Sequence, residues 1–440
     1  MTTPAEALGC PAFRRDHGVR YAYVAGAMYK GIASKELVLR MAGARLLSYL
    51  GTGGLAPDRI DADIRFLRDR APADASYGMN LLSGWEEEGC VDLFLRHGVT
   101  RVEAAAYLQV SPALVRFRLT GLTREGPRNR VMAKVSRPEV AEQFLNPPPE
   151  KIVRELAGAG RISGAEAALS QTVPMADDLC VESDSGGHTD QGVAFTLVPA
   201  IAAQRDAAVQ RAGYAARVRL GAAGGLGTPR AVAAAFVLGA DFVLTGSVNQ
   251  CTVEAGTSDA VKDLLQQAGI QDTAIAPAGD MFEQGSKVRV LRKGLFFPAR
   301  ANRLYELYRQ YDSIDAIDCK TREQIETKYF HRGFDEVYAE TRAHYLRVNP
   351  GEIVRAERDP KHKMALIFKW YFVHSARLAQ RGAPDQRVDY QIHCSSAMGA
   401  FNQLVLGTPM EDWRKRHPDA IAELLMTGAA EILWNRRPEV

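Results

Sequence analysis

Paired cysteines and metal-binding motifs are missing from this sequence. Its six cysteines are far apart and form no C-x-x-C pair, which argues against a zinc knuckle or a disulfide framework. They are Cys10, Cys90, Cys180, Cys251, Cys319 and Cys394. The histidines His362, His374 and His393 follow no H-E-x-x-H spacing. We therefore expect reduced thiols, a cytoplasmic location and no bound metal.

Long hydrophobic runs and an excess of one charge are also missing. The longest apolar run, residues 231–244, contains Gly239 and Asp241 and is too short to cross a bilayer. Residues 1–20 hold no apolar segment of the kind that a signal peptide needs. Lys plus Arg number 55 against 52 Asp plus Glu, and a net charge of +3 does not indicate nucleic-acid binding. The sequence thus predicts binding to neither membrane nor nucleic acid.

A repeated strand-then-helix pattern fills residues 21–248. With 46% hydrophobic residues among 440, the chain has ample material for a large core. Short apolar runs end in Gly, Asn, Ser or Thr, and helical sequence usually follows, as in βαβ units. The eight runs are residues 21–27, 45–50, 76–82, 101–106, 130–135, 178–182, 217–222 and 241–245.

Eight such units predict an α/β protein built on a closed (β/α)8 TIM barrel, whose chemistry collects at the C-terminal ends of the strands. Residues 1–20 are predicted to form an N-terminal segment and residues 21–250 the barrel, with extra helices at about 137–170. Residues 251–440 have apolar and aromatic residues at helical spacing. They predict a mostly helical C-terminal domain that serves as a substrate platform or lid.

The strongest local signal is a pair of glycine-rich turns after the seventh and eighth runs. Residues 219–229 contain Gly224 and Gly225 before a Thr-Pro helix start, and Gly246 and Ser247 follow the eighth run. In TIM barrels these two loops commonly form a phosphate site, where backbone N–H groups meet the anion. We interpret the four residues as phosphate contacts. A helix cap and a tight turn without a ligand are the alternative.

A dinucleotide-binding fold is the main structural alternative to the barrel. Residues 51–56 fit G-x-G-x-x-A after an apolar run, but Asn80 stands where an acid that binds ribose is expected. The motif is weak by itself. Within a barrel, the turn at Gly53 would instead lie beside the ring of a planar cofactor.

Two segments at predicted strands are candidates for catalysis. Residues 182–190 place carboxylates, two glycines and His188 after the sixth run, where the imidazole can donate a proton. A polar surface loop with a solvated histidine is the alternative. Lys134 lies inside the fifth run, and a lysine is costly to bury unless it points to a ligand.

Residues 287–303 carry six basic residues and no acid. The basic residues are Lys287, Arg289, Arg292, Lys293, Arg300 and Arg303. They predict either a solvated helix face or a docking patch for an acidic partner or a phosphate-bearing substrate arm.

Several of these segments together resemble a known enzyme superfamily. The matching residues are Ala25-Gly26-Ala27-Met28, Asn80, Ser185-Gly186-Gly187-His188, residues 223–227 and Thr245-Gly246-Ser247. They resemble the FMN-dependent 2-nitropropane dioxygenases (nitronate monooxygenases). Longer blocks at residues 21–33, 244–262 and 276–283 resemble the PfaD family, the trans-acting enoyl reductases of polyketide and polyunsaturated fatty acid synthases. The resemblance covers nearly the whole chain.

The resemblance implies FMN as cofactor, NADPH as hydride donor and a 2-enoyl thioester on an acyl carrier protein as substrate. The partner would be a polyketide synthase or fatty acid synthase. His188 is the implied proton donor, and Lys134 contacts the flavin or the developing negative charge. The implied cofactor-binding residues are Ala25, Gly26, Ala27, Met28, Gly53, Asn80, Lys134, Asp184, Ser185, Gly186, Gly187, Gly224, Gly225, Gly246 and Ser247.

Two positions depart from the family pattern, and other functions stay open. Asp184 takes the place of the usual Glu as the contact to the ribityl chain, and Ser395-Ser396 precede Ala397 where Gly-Pro is expected. The first alternative function is a nitronate monooxygenase that uses FMN and O₂. The others are a flavin-free phosphate-binding lyase or isomerase and a non-catalytic protein that docks in a synthase.

Overall fold

The computed structural model describes residues 3–84 and 86–434 and divides them into two compact units. The first unit contains residues 3–185, 190–256 and 400–434, and the second contains residues 186–189 and 257–399. Among these described residues, no helix has the length and hydropathy of a membrane span. In the same part of the chain, no three metal-ligating side chains converge, and all six cysteines are free thiols.

A closed barrel of eight parallel strands forms the centre of the first unit, which confirms the predicted fold class. Neighbouring strands pair in chain order, and the last closes on the first with Val243 opposite Tyr23. Their apolar runs are nearly continuous because both faces of each strand are covered. Barrel strands 1 to 8 are Tyr23–Ala25, Leu47–Leu50, Gly78–Leu82, Arg101–Ala105, Arg130–Val135, Asp178–Glu182, Arg219–Ala223 and Phe242–Thr245.

Side chains along the barrel strands alternate between two cores. Val131 and Leu179 point outward into the large core beneath the helices. Met132, Cys180 and Phe242 point inward and pack with one another inside the barrel. This period of two therefore fixes which residues face the barrel interior.

Helices cover the outside of the barrel, as βαβ units require. Those of the first unit are Pro4–Ala7, Pro11–His17, Lys35–Gly43, Pro57–Arg70, Glu87–Arg96, Pro112–Leu119, Pro138–Leu145, Glu150–Gly158, Gly164–Leu169, Ala194–Ala212, Pro229–Val237, Ser247–Gln250 and Pro418–Trp434, with single turns at Ser170–Thr172, Pro409–Glu411 and Trp413–Lys415. A small hairpin joins Leu122–Thr123 to Gly126–Pro127. Three of these helices lie in the span 137–170, where the sequence indicates extra ones.

The N-terminal residues are part of the barrel unit, whereas the sequence suggested a separate segment. Phe13 stacks on Phe242 with ring centroids 4.5 Å apart. His17 Nε2 lies 2.8 Å from Asp178 Oδ2, and Arg219 Nε lies 2.5 Å from Asp178 Oδ1. Burial opposes ionisation of Asp178, but the charges of Arg219 and His17 outweigh it and lower its pKa to about 2. Helix Pro11–His17 thus closes the end of the barrel at which the strands begin.

The C-terminal boundary also differs from the predicted single helical domain over 251–440. Helix Pro418–Trp434 packs on helix Pro229–Val237 of the barrel unit, and Arg40 Nε donates to Asp419 Oδ1 at 2.9 Å. Gly428 permits this packing, because a Cβ there would lie 2.7 Å from Pro229 Cγ. Periodicity shows that such a segment is helical, but it does not show which core the apolar face joins.

The second unit combines a three-stranded antiparallel sheet with helices. The strand order is Thr273–Pro277, Lys287–Leu291 and Gly187–His188. The helices are Asp259–Leu265, Phe297–Gln310, Cys319–Ile325, Phe334–Val348, Pro350–Arg358 and Pro360–Arg381, with turns at Phe282–Gln284, Ile314–Ala316, Glu326–Phe330 and Pro384–Asp389. Helix Ser396–Val405 begins in the second unit and ends in the first, because the division falls after residue 399.

The strand Lys287–Leu291 shows that the expectation of a solvated helix face at residues 287–303 was wrong for its first part. Val288 and Val290 alternate with Lys287 and Arg289, and both valines are buried. Alternation of this kind predicts a half-buried strand, even though half of its residues here are basic.

Candidate functional site

Three charged side chains meet at the end of the barrel where its strands finish, and we call Glu103, Lys134 and Glu182 the mouth cluster. They lie on barrel strands 4, 5 and 6. Met132 and Cys180 pack inside the barrel. Lys134 and Glu182 come two residues after them on the same strands, so their side chains face inward as well. The C-terminal end of the strands is where TIM barrels hold their active sites.

Lys134 is the centre of the mouth cluster. Its Nζ lies 3.0 Å from Glu182 Oε1 and 3.8 Å from Glu103 Oε1. The side chain is only 15% exposed. Burial alone would favour the neutral amine, but the carboxylates of Glu182 and Glu103 outweigh it and hold the pKa of Lys134 above its usual value. The barrel therefore keeps a fixed positive charge at its mouth.

Glu103 is the most deeply buried member of the mouth cluster, with a side chain that is 0% exposed. Its Oε2 accepts a hydrogen bond from the backbone N–H of Ala27 at 2.7 Å. Among the described residues, its Oε1 has no hydrogen-bond partner. Burial raises the pKa of Glu103 to about 7, although Lys134 and the Ala27 N–H favour the carboxylate. A carboxyl group poised near neutrality at a barrel mouth is typical of functional sites.

The raised pKa of Glu103 predicts that the protein loses stability as the pH rises. The pKa is about 7 in the folded chain and 4.5 as a model value, so between these values the folded state binds the extra proton. We expect the ionisation of Glu103 to lower the free energy of unfolding by about 3 kcal/mol between pH 4.5 and pH 8. Urea unfolding at both pH values should show that Glu103→Gln stabilises the protein far more at pH 8. The exposed variant Glu139→Gln is the control, and an equal gain from it would contradict the prediction.

Residues at the C-terminal ends of barrel strands 1 to 3 contact neighbouring strands, and one of them reaches the backbone of Glu103. Gly26 N donates to Thr245 O at 3.0 Å, and Asn80 Nδ2 donates to Glu103 O at 3.1 Å. Gly53 lies so close to its neighbours that a Cβ there would be 2.3 Å from Leu82 Cδ1 and 3.3 Å from Asn80 Oδ1.

The sequence-predicted cofactor residues on strand 1 differ in what they can offer a ligand. The methyl group of Ala25 is 0% exposed and packs into the outer core, and Met28 packs partly against the same core. The structure therefore leaves only the backbone of Ala25 for a cofactor contact. Ala27 contacts Glu103 through its backbone N–H, which donates to Glu103 Oε2.

The two glycine-rich turns lie where the sequence predicts, after barrel strands 7 and 8. Gly224 and Gly225 have left-handed φ angles of 91° and 73°. A Cβ on Gly224 would lie 2.9 Å from the backbone of Ser183, so only glycine fits there. Next to Gly225 and Gly246, in contrast, a Cβ would meet no atom within 4 Å. Ser247 begins the short helix Ser247–Gln250 that follows Gly246.

The segment after barrel strand 6 contributes to the barrel unit up to Ser185. Ser185 Oγ donates to Glu182 Oε1 at 3.1 Å and so adjoins the mouth cluster. The backbone N–H of Asp184 donates to Gly192 O at 2.9 Å. Ser183 Oγ is buried, and no described residue accepts or donates a hydrogen bond to it.

Gly186, Gly187 and His188 belong to the second unit. His188 pairs with Val288 in the antiparallel sheet. Its Nε2 lies 3.0 Å from Asp280 Oδ1, and its side chain is 42% exposed. Burial works against ionisation of Asp280, but the hydrogen bond and charge of His188 outweigh it and lower the pKa of Asp280. His188 is therefore an oriented histidine, not a freely solvated one.

The six basic residues at 287–303 do not form one exposed patch. Arg300 is only 15% exposed, because it forms an ion pair with Asp389 and lies over the Tyr329 ring at 4.9 Å. Arg289 is half-buried and donates to Thr273 Oγ1. Lys287, Arg292, Lys293 and Arg303 are exposed. Arg300 is therefore removed from the predicted docking patch.

The sequence did not single out Glu103, and it noted Glu182 only as the start of a polar loop. The signal for Glu103 was present. It is a charge inside the apolar run 101–106, which is the argument that singled out Lys134. The sequence does not reveal that three consecutive barrel strands place the carboxylates of Glu103 and Glu182 within 4 Å of Lys134 Nζ.

Comparison with known families identifies the family to which this chain belongs. The family model described as nitronate monooxygenase matches residues 15–303, which include the whole barrel. The chain belongs to the nitronate monooxygenase family. Residues 311–390 match a second model, the inserted helical domain of [acyl-carrier-protein] S-malonyltransferase.

Individual curated proteins are similar to nearly the whole of this chain. The chain is 52% identical to the polyketide biosynthesis protein PksE of Bacillus subtilis over 98% of its own length and 57% of that protein. It is 54% identical to the polyketide biosynthesis protein ThaF of Burkholderia thailandensis over 98% of its length and 38% of that protein. It therefore spans less than two thirds of these curated relatives.

A solved structure with high sequence identity matches this chain from end to end. It is the enoyl reductase domain of MlnA from the macrolactin biosynthesis cluster of Bacillus amyloliquefaciens, with 41% identity and a TM-score of 0.94. The match covers 99% of this chain and 100% of that domain. The resemblance stated from the sequence is thereby confirmed.

Proposed function

We propose that this chain is an FMN-dependent enoyl reductase that acts in trans. It would reduce the α,β-double bond of carrier-protein-bound 2-enoyl thioesters with NADPH, in polyketide or polyunsaturated fatty acid biosynthesis. The observation that carries the proposal is the end-to-end similarity to an enoyl reductase domain. The fixed positive charge of Lys134 supports it, because the reaction builds negative charge on a thioester oxygen.

The residues of the barrel mouth fit FMN. Gly225 and Gly246 border open space that a Cβ would occupy, as a cradle for a phosphate group requires. The buried Ser183 Oγ lacks a partner among the described residues and offers a further polar contact. Lys134 suits the electron-rich edge of a flavin, since it is a buried cation held in one place.

The chemistry divides between the cofactor and this chain. When bound, FMN supplies hydride transfer between NADPH and the β-carbon of the enoyl group. Lys134 stabilises the negative charge that develops during reduction, and it needs no reorganisation because Glu182 already holds it in position. His188 delivers the proton to the α-carbon, with Asp280 orienting its ring. Asp184 and Ser185 would hold the ribityl side of the cofactor.

The phosphate cradle gives a test that does not disturb the fold. Gly246 has a negative φ of −126°, so alanine needs no left-handed backbone there, and a Cβ meets no protein atom within 4 Å. Gly246→Ala should therefore fold normally and bind FMN at least about tenfold more weakly, because the methyl group takes the place of the phosphate. Fluorescence titration of apoprotein with FMN measures this. Gly158→Ala, also in open space, is the control. Unchanged FMN affinity in Gly246→Ala would move the phosphate elsewhere.

The substrate would arrive on an acyl carrier protein of a polyketide or fatty acid synthase. We propose Lys287, Arg292, Lys293 and Arg303, the exposed basic residues of the second unit's 287–303 segment, as the docking patch for this acidic partner. Lys293 and Arg303 each have one acidic neighbour, Asp272 and Glu306, within 4 Å.

Activity assays distinguish the proposed enoyl reductase from a nitronate monooxygenase. Purified protein should oxidise NADPH when given a crotonyl thioester on a carrier protein, and mass spectrometry should find a product heavier by two hydrogens. A parallel assay supplies an alkyl nitronate and O₂. Turnover of the nitronate alone would replace the reductase with a nitronate monooxygenase. Colourless protein that ignores added FMN would support a flavin-free barrel.

A further inference from the structure

A cationic cavity lies among the helices of the second unit, apart from every residue assigned above. Its volume is about 400 Å³, within the range of small-molecule sites. Helix Pro360–Arg381 supplies one wall with His374, Arg377, Leu378 and Arg381. The spacing i, i+3, i+4, i+7 puts these four side chains on one face of that helix.

The cavity holds two exposed arginines that form no direct ion pair with a described residue, although the charge of Arg377 helps to lower the pKa of Glu340. Among the described residues, neither Arg377 nor Arg381 has a hydrogen-bond or ion-pair partner within 4 Å. The nearest acid at the cavity is Glu340, which already binds Arg332 Nη1 at 2.6 Å and accepts a hydrogen bond from Trp370. Two like charges one helical turn apart repel each other weakly, and an anion between them would replace this repulsion with attraction.

Aromatic rings that line the same cavity are held in place by their neighbours. The Trp370 ring stacks on Phe330 at 5.6 Å and on His374 at 4.5 Å. His374 Nε2 is also fixed by Gln386 Oε1 at 2.9 Å. His331 has a left-handed φ of 53° directly after the π-helical turn Glu326–Phe330. Such irregular turns in non-glycine residues are frequent at functional sites.

We propose that this cavity binds a phosphate monoester, held by Arg377 and Arg381. A phosphate monoester carries a charge of about −1.5 to −2 at pH 7, which matches the two guanidinium groups. The planar forks of arginine suit phosphate oxygens, because each can donate two parallel hydrogen bonds. His331 and His374 line the same cavity and add imidazole nitrogens to its polar lining. The site does not depend on the reductase proposal.

Two biological sources present this chemistry, and the experiment separates them. Isothermal titration of the full-length protein would compare adenosine 2′,5′-bisphosphate, pantetheine 4′-phosphate and inorganic phosphate. Saturable binding of the first alone assigns a nucleotide, binding of the second alone assigns free pantetheine 4′-phosphate, and binding of all three assigns the phosphate group itself. No saturable binding of any of them overturns the proposal.

Variants test whether the two arginines hold the ligand. Arg377→Gln and Arg381→Gln should each weaken binding about tenfold or more, because each removes charge-assisted hydrogen bonds. The matched control is Arg358→Gln, an exposed arginine of the same unit outside the cavity. Equal weakening by the control, or unchanged binding in both cavity variants, would overturn the proposal. Circular dichroism and unfolding curves confirm that the variants are folded.

Discussion

Replacing Lys134 with Met is expected to abolish tight FMN binding and enoyl reduction and to destabilise the protein by about 3–5 kcal/mol at pH 8. The variant leaves Glu103 and Glu182 without the cation that now lies 3.8 and 3.0 Å away. The stability loss should shrink towards pH 5. Without Lys134 the pKa of Glu103 rises further above 7, and the protonated acid needs no partner charge.

A triple variant separates the electrostatic cost from the functional one. Lys134→Met with Glu103→Gln and Glu182→Gln removes all three charges of the mouth cluster, so most of the lost stability should return. FMN affinity and reductase activity should not return, because the cation itself is missing. Lys151→Met, an exposed lysine, is the control. If the triple variant regained activity, Lys134 would be a structural ion-pair partner and not a contact to the reacting groups.

Replacing His188 with Ala should lower the rate of enoyl reduction by about 10²–10⁴-fold, the range for loss of a general acid. FMN content should stay unchanged, because His188 lies in the second unit's sheet and its backbone pairing with Val288 does not need the imidazole. The rate is measured with NADPH and a carrier-bound enoyl thioester, and the bound flavin is measured from its absorbance.

Asp280→Asn tests the orientation of the same histidine. The variant removes the carboxylate 3.0 Å from His188 Nε2, which favours the protonated ring. The limb of the pH–rate profile that reports His188 should therefore move to lower pH, with a smaller loss of rate than in His188→Ala. Full activity in His188→Ala, with an unmoved profile in Asp280→Asn, would assign the proton to another donor.

The barrel could be predicted from the sequence because each strand is indicated by the residues of its own short segment. Residues 130–135 and 178–182 form strands with the bounds that the apolar pattern indicates. Glycine turns followed by a capping Thr228 and a proline likewise mark a strand-to-helix turn without knowledge of the rest of the chain.

The second unit was harder to predict because its strands are short and scattered. Gly187–His188 forms only two residues of strand, and its partner Lys287–Leu291 lies 100 residues later. No local pattern reveals such a pairing. The same holds for helix Pro418–Trp434, whose apolar face joins the barrel's outer core.

The sequence by itself determined the eight-stranded barrel and the two glycine-rich turns, since periodicity and backbone requirements are properties of short segments. It also singled out Lys134 and His188 as candidates, and their roles stay predictions. Tertiary structure alone decided what those residues meet. It placed Glu103 and Glu182 around Lys134, set Asp280 against His188 and withdrew Arg300 from the surface. Charges, pKa values and open space depend on distances between strands and helices that are remote in the chain, and only folding fixes those distances.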